Sequence, residues 1–491
     1  MIAQAAPIPS PHIEWLPILP EVILVGTGLV TMLYEAFAPR SQRAVHLVLS
    51  LAGLAGAGYA AYALWDWTGE PTILAGAVAA DRYAVAARLL LLGIAAIGLL
   101  FGTHYFARTP EHERGEFYPL VLFATSGMTL IASSADLIVM FLALEILSLA
   151  LYVLTGFSNR VESNEAAMKY FLLGAFSSAF FLYGVAFTFA LSGSTRIDEI
   201  GMALSARAPG SPNTVALLAV GLLAVGFGFK VSAVPFHMWT PDAYEGAPTI
   251  VTAFMSTGVK AAAFAAFARV FLSPFEPLQS HWIPVLSVVA GITMIFGTVV
   301  GVVQTNVKRM LAYSSIAHAG YLLLGIVSAS NAGKAAILFY LLTYAVTNIG
   351  ALGIVALLGT GQHQHDELRD FSGLWRSRPA LAGLMTVFLL SLGGIPPTAG
   401  FIGKWYIFSA AIQEGHYWLA IIGVLTSVVS VFFYLRIVVM MYMTEGSETV
   451  RPRVPAVAMA GLAFAVIAVF YLGILPTRVL DLALDSISTI L

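Results

Sequence analysis

Six lysines occur in this 491-residue chain, against eighteen arginines. Three of them, Lys230, Lys260 and Lys404, lie inside long apolar runs rather than between them. Placing one charge at the centre of a bilayer-spanning helix costs about 2.5–3.5 kcal/mol on insertion scales. An arginine would stay protonated there, whereas burial disfavours the charged form of a lysine enough for it to exchange a proton. Glu145 is the matching carboxylate, nine residues beyond Asp136 in the run that Asp136 opens. His318 stands mid-run in Ser314-Ser-Ile-Ala-His318-Ala-Gly-Tyr321, where the hydroxyls of Ser314, Ser315 and Tyr321 can hold hydrogen bonds. One glutamate, three lysines and one histidine at depth in five separate runs have the composition of a proton or ion pathway. The competing reading for Lys230 is a static ion pair with Glu145 that staples two helices.

Weaker candidates surround these five. His237 flanks a proline-rich interruption and is placed to pass protons toward one face. Glu165 and Lys169 stand at i, i+4, which also suits an ordinary surface helix pair. Arg436, mid-run, calls for a carboxylate or backbone carbonyls as partner. Gln362-His363-Gln364-His365-Asp366 lacks a ligand set and reads as a solvated loop, so no metal site is expected.

The elements that must position these residues are membrane helices. The chain is 59% hydrophobic, 10% charged and free of cysteine. An ordinary soluble domain carries about 25% charge, and runs of about 20 apolar residues recur, each long enough to cross a bilayer. Fourteen spans are expected, at 17–37, 45–65, 84–106, 117–133, 136–157, 167–192, 214–232, 249–271, 282–303, 309–329, 334–359, 379–412, 417–442 and 455–475. The first is expected to be a true span and not a cleaved signal, because residues 1–10 carry no basic side chain and Glu21 interrupts the apolar stretch. The tail after Leu475 has apolar residues at helical spacing, as in an interfacial helix. Without cysteine there are no structural disulfides, no Cys-ligated zinc and no Cys-ligated iron–sulfur cluster. No nucleotide-binding glycine motif is present, and a net charge of −2 gives no footprint for nucleic acid.

Two spans are interrupted. The seventh carries Pro235, Pro241 and Pro248 close after Lys230, and the twelfth carries Gly393-Gly394-Ile-Pro396-Pro397 shortly before Lys404. Breaks at matching places in two halves point to a transport site between inverted repeats. Spans 4–8 and 9–13 form such halves, each with its broken helix fourth. The expected organisation is a three-helix segment (1–116), a first repeat (117–271, the proton input half), a second repeat (282–442, the output half) and a C-terminal helix with tail (443–491).

Loop charges orient the whole. Connections after odd-numbered spans hold Arg40, Arg43, Arg108, Arg114, Arg160, Lys308, Arg309, Arg369, Arg376, Arg378, Arg451 and Arg453. The opposite side holds Arg82, Arg196, Arg207, Lys334 and Arg478. By the positive-inside rule the first set is cytoplasmic and both termini face outward.

Glu145, the Lys230 break, Lys260, Ser314-Ser-Ile-Ala-His318 and Gly394-Ile-Pro-Pro-Thr-Ala-Gly-Phe-Ile-Gly-Lys404 together resemble the antiporter-like subunits of respiratory complex I, over nearly the whole chain. Within that group Lys404 argues against the M subunit, which has glutamate there. The chain also lacks the long lateral helix of the L subunit. Leu19-Pro20-Glu21 and Ala167-Met-Lys169-Tyr-Phe-Leu-Leu-Gly-Ala-Phe-Ser-Ser fit a further branch. The resemblance implies an all-α, fourteen-helix subunit in the proton-pumping membrane arm of an NADH:quinone oxidoreductase, in a bacterial inner membrane. In it Glu145 modulates Lys230, Lys260 bridges, His318 relays between halves and Lys404 is the output lysine. It further implies no cofactor in this chain, with NADH, FMN, iron–sulfur clusters and quinone held elsewhere. The implied partners are a neighbouring antiporter-like subunit, small membrane subunits and the lipid bilayer. The alternatives are a subunit of an Mrp-type sodium/proton antiporter, the equivalent subunit of a ferredoxin- or hydrogenase-linked complex, and a scaffold that transports nothing.

Overall fold

The computed structural model describes residues 14–37, 43–107, 115–158, 160–206, 214–359, 365–445 and 455–490. Arg40, Arg108, Arg114, Arg207, Arg451, Arg453, residues 1–10 and all of the 362–366 stretch except His365 and Asp366 lie outside the described residues. The architecture is all-α, and twelve helices among the described residues are long and apolar enough to cross a bilayer. The fourth span, Phe117–Ser133, is a shorter apolar helix, and the twelfth is split into Pro379–Gly393 and Ala399–Gln413. With these, every expected run is helical.

Three departures have simple causes. The sixth helix starts at Val161, earlier than its apolar run, because a polar first turn extends it to 32 residues. A short helix, Trp239–Gly246, follows the first break, and Pro241 does not interrupt it. Pro241 lies in the first turn, where a backbone N–H would have had no partner within the helix. The eighth span is continuous but contains a π-helical turn, Met255–Val259, directly before Lys260. The tail forms the amphipathic helix Thr477–Ile487.

Local signals explain where the central helices begin. Asp136 caps the fifth helix by accepting from Ile138 N (2.7 Å) and Val139 N (3.2 Å). Asn306 caps the tenth through Arg309 N, and Ser330 the eleventh through Gly333 N. Each cap side chain satisfies an N–H that has no partner within the helix. The most apolar stretches of the eighth and tenth helices are wholly surrounded by protein, and that of the eleventh is nearly so.

The two halves repeat one another in detail. At the first break, Ser232 adopts a left-handed conformation (φ 65°), Ser232 N donates to Phe229 O and Ala233 N donates to Gly228 O. At the second, Gly394 is left-handed (φ 78°), Gly394 N donates to Ser391 O and Ile395 N donates to Leu390 O. This is the same Schellman cap twice. Pro235 follows the first and Pro396-Pro397 the second, so neither helix resumes at once. Helix crossings repeat as well. A Cβ on Gly127 would lie 2.6 Å from Leu147 N, and one on Gly297 would lie 2.5 Å from Ala317 N. Only glycine permits helix four to meet five, and nine to meet ten, this closely. Five is an odd number of spans, so the second run crosses the membrane in the opposite sense to the first.

Candidate functional site

Lys230 is the penultimate residue of the helix Thr214–Val231 and is buried. Its Nζ donates to Ser148 Oγ at 2.7 Å and stands 5.8 Å from the centre of the Tyr170 ring. Ser148 lies one turn beyond Glu145 on helix five. Glu145 is half-buried, and its Oε1 accepts a 2.5 Å hydrogen bond from Ser178 Oγ on helix six. No Glu145–Lys230 ion pair is present among the described residues. Two serine hydroxyls hold the charges apart.

Lys260 follows the π-helical turn on a helix with no exposed residue. Its Nζ donates to both Ser315 Oγ and Ser315 O at 2.5 Å, with Tyr344 5.9 Å away as a ring partner. Ser315 belongs to helix ten, which carries the next groups on successive turns. Ser314 Oγ hydrogen-bonds the Tyr434 hydroxyl, which is 3.3 Å from His318 Nε2. His318 Nδ1 is 2.6 Å from the Tyr340 hydroxyl. One turn further, Tyr321 lies under Lys404, whose Nζ is 5.1 Å from its ring centre. Lys404 Nζ donates to Leu392 O (2.9 Å) and Ser427 Oγ (2.8 Å). The polar contacts therefore form two groups on helix ten, Lys260 with Ser315 and, from the adjacent residue, Ser314 with Tyr434 and His318, with Lys404 beside the next turn.

Each break places an ammonium at the end of a half-helix. Lys230 is two residues before Ser232, and Lys404 reaches the carbonyl of Leu392, two residues before Gly394. Carbonyls left without helical partners and the negative end of the helix dipole favour a cation there. Each of the three lysines also stands over an aromatic ring, which stabilises its charged form without a counter-ion.

Other candidates stand apart. The His237 ring packs edge-on against Phe296 at 4.6 Å, and no hydrogen bond among the described residues joins it to Lys230. Lys169 is exposed, bonded to Glu165 (2.8 Å) and to Asp242 (2.9 Å). Arg309 bonds Asp242 (2.9 Å) and Glu245 (2.5 Å), and these groups line an open polar cavity of about 610 Å³. Lys308, assigned from sequence to a loop, is fully buried and donates to Glu245 O and Ala247 O at 2.7 Å. Arg436 donates to the carbonyls of Val302 and Gln304.

Sequence reasoning missed two buried ion pairs. Arg88 bonds Glu21 (2.9 Å) and Ser133, and Arg269 bonds Asp81 through both oxygens (2.6 and 2.9 Å). Arg88, an arginine inside the apolar run of the third span, was the available signal. Ser148 and Ser178 were also missed; the i, i+3 spacing of Ser148 from Glu145 could have flagged the first.

Comparison with known proteins identifies the family. Residues 134–430 match the family model described as NADH:quinone oxidoreductase/Mrp antiporter, TM. The chain is 45% identical to the NADH-quinone oxidoreductase subunit N of Trichlorobacter lovleyi, covering 96% of this chain and 97% of that one. It is 41% identical to subunit N of Chloroflexus aggregans, covering 97% and 98%. Among solved structures it superposes on a chain of respiratory complex I from Thermus thermophilus with a TM-score of 0.79 and 36% identity, covering 94% and 98%. A chain of the Mrp complex from Dietzia shares the fold, with a TM-score of 0.84 at 21% identity over 97% of both chains. Matched at more than 40% identity along nearly the whole length of these relatives, the chain belongs to the subunit N family of the NADH-quinone oxidoreductases.

Proposed function

We propose that this chain translocates protons as subunit N in the membrane arm of an NADH:quinone oxidoreductase, with Glu145, Lys230, Lys260, His318 and Lys404 as its relay. The observation that carries the reading is that three of the four buried lysines, Lys230, Lys260 and Lys404, have no carboxylate in contact among the described residues, two of them at the ends of half-helices, while Lys308 is taken up by the carbonyls of Glu245 and Ala247. A scaffold would gain nothing from three such charges. An Mrp-type exchanger shares the fold, but relatives above 40% identity bear the oxidoreductase name.

Lys230 gives a proton inward when Glu145 stays with Ser178, and holds it when the carboxylate swings one turn toward Ser148. Lys260 passes the proton to the helix-ten hydroxyls, His318 carries it across, and Lys404 discharges it. Water completes the stretch between Lys230 and Lys260. In support, the Tyr170 hydroxyl and Asn348 Oδ1 are buried without a hydrogen-bond partner. A change of about two units in a group's pKa is worth roughly 2.7 kcal/mol, comparable with the approximately 2.3 kcal/mol that moves one charge against 100 mV. Electrons travel in other subunits, where NADH, FMN, iron–sulfur clusters and quinone reside. The neighbours are another antiporter-like subunit and small membrane subunits of a bacterial inner membrane. Both termini face the periplasm, and the Lys169–Asp242–Arg309 cavity opens to the cytoplasm for uptake.

The test is a pair of substitutions at one site in the assembled complex. Lys230→Met should abolish pumping and lower coupled quinone reduction with assembly intact. Lys230→Arg should also fail, because guanidinium does not release its proton. An arginine variant that pumps normally, beside a methionine variant that does not assemble, would make Lys230 structural.

A further inference from the structure

Two short β-bridges repeat one another across the inverted halves and take no part in the relay. In the first half, Leu137 N donates to Thr195 O and Ile197 N donates to Ala135 O, both at 2.9 Å. In the second, Val307 N donates to Asp366 O (2.6 Å) and Leu368 N donates to Thr305 O (2.9 Å). Each bridge joins the connection before helix five or ten to the connection after helix six or eleven. Side chains reinforce both. Thr195 Oγ1 donates to Asp136 Oδ2 (2.6 Å), and Asn306 Nδ2 donates to Glu367 Oε1 (3.5 Å). Because the repeat is five spans long, the two bridges lie on opposite faces of the membrane.

The first turn of a helix carries N–H groups with no partner inside the helix, and water meets them unless the protein does. Here the bridges take Leu137 N and Val307 N, while the Asp136 and Asn306 caps take Ile138 N, Val139 N and Arg309 N. Leu137, Ile197 and Ile200 at the first bridge are fully buried, as are Val307, Phe371 and Leu374 at the second. These ends are dry. The open polar cavity lies on the face of the second bridge, with Asn306 and Asp366 in its wall. There Glu165, Lys169 and Asp242 give the first half a polar entrance at the end opposite its own bridge.

We infer that the two bridges are the proton-tight closures of the two halves, each sealing one end while the relay is reached from the other. The inference rests on the proposed relay: a half that was polar at both ends would let protons return down their gradient. Asp136, Thr195, Asn306 and Glu367 are then positioning residues, which hold the closures shut without meeting the transported proton.

The backbone donors of the bridges can be removed one at a time. Ile197 opens the helix Ile197–Ser205, and Leu368 opens the short turn Leu368–Phe371. Proline suits the first position of a helix, where the missing N–H has no helical partner. Arg196 (ψ 134°) and Glu367 (ψ 147°) are already extended, the conformation favoured before proline. The intact complex carrying Ile197→Pro or Leu368→Pro, in vesicles without redox substrate, should pass protons down an imposed potential about tenfold faster than the unaltered complex. That is the shift in open population that one lost hydrogen bond brings. Ile197→Ala and Leu368→Ala shorten the same side chains, keep the N–H and should stay tight. Thr195→Val, which removes only the hydroxyl donated to Asp136, should also leak, and Thr195→Ser should not. If the proline variants do not assemble, the Thr195 pair decides. Proline variants as tight as the unaltered complex, alanine variants that leak equally, or a tight Thr195→Val where it alone decides, overturn the proposal. Adding Lys230→Met to Ile197→Pro should stop the leak. A leak that persists there still supports closure at the bridge and counts against Lys230 as the path, so the two readings fail separately.

Discussion

Glu145 and Lys230 illustrate what a single residue's type can and cannot announce. Their depth in apolar runs was legible because charge is rare there. Their separation by Ser148 and Ser178 was not, because serine is common in membrane helices and its partner depends on packing. Ser178→Ala should release Glu145 from a hydrogen bond to a charged group, a class worth about 1.5–3 kcal/mol. Coupled quinone reduction, measured in membrane vesicles, should then change by about tenfold with the amount of assembled complex unaltered. Tyr434 serves two partners, Ser314 and His318. Tyr434→Phe removes a buried hydroxyl and little volume. We expect pumping to fall about fivefold, the effect of one neutral hydrogen bond, with thermal stability nearly unchanged.

At the scale of the element, the breaks were legible because proline and glycine act locally, and the two Schellman caps match nearly atom for atom. The π-helical turn before Lys260 left no such trace, since its one glycine, Gly258, stands without a proline inside an apolar run and does not end a helix by itself. Lys308 was misplaced for a related reason: it is the second residue of its helix, where sequence cannot tell a loop from a buried first turn. Helix crossings give the sharpest expectation here. Gly297→Ala sets a methyl 2.5 Å from the backbone nitrogen of Ala317, which cannot move without shifting the His318 turn. Overpacking of this kind costs about 1–3 kcal/mol. Detergent-solubilised complex should lose this chain at lower temperature, and pumping should fall with it. Gly221→Ala, which meets nothing within 4 Å, should do neither.

Across the whole molecule, fourteen runs were readable from apolar length alone, while the ion pairs where the three-helix segment meets the first repeat, one within the segment and one across to the repeat, needed tertiary structure. Arg88 and Arg269 meet helix four at adjacent residues, through Ser133 Oγ and Ala132 O. Removing one partner of a buried pair leaves an uncompensated charge, at about 3–5 kcal/mol. Asp81→Asn or Arg269→Met alone should sharply reduce the complex recovered on native gels. The double change Asp81→Leu with Arg269→Met should restore much of it.

The spacing of those two pairs also bears on how the chain is made. Glu21 leaves the ribosome 67 residues before Arg88, so the third helix can enter the bilayer with its arginine already matched. Asp81 must wait 188 residues for Arg269. Throughout that interval helices three to seven are present with the Asp81 carboxylate capping its own helix through Ala84 N but without its guanidinium partner, and the arrival of helix eight is what seals this edge of the first repeat. A nascent chain halted before residue 269 should therefore be extracted from membranes or degraded faster than one halted just after it. The last charge partner, and not the last apolar run, closes this half of the molecule.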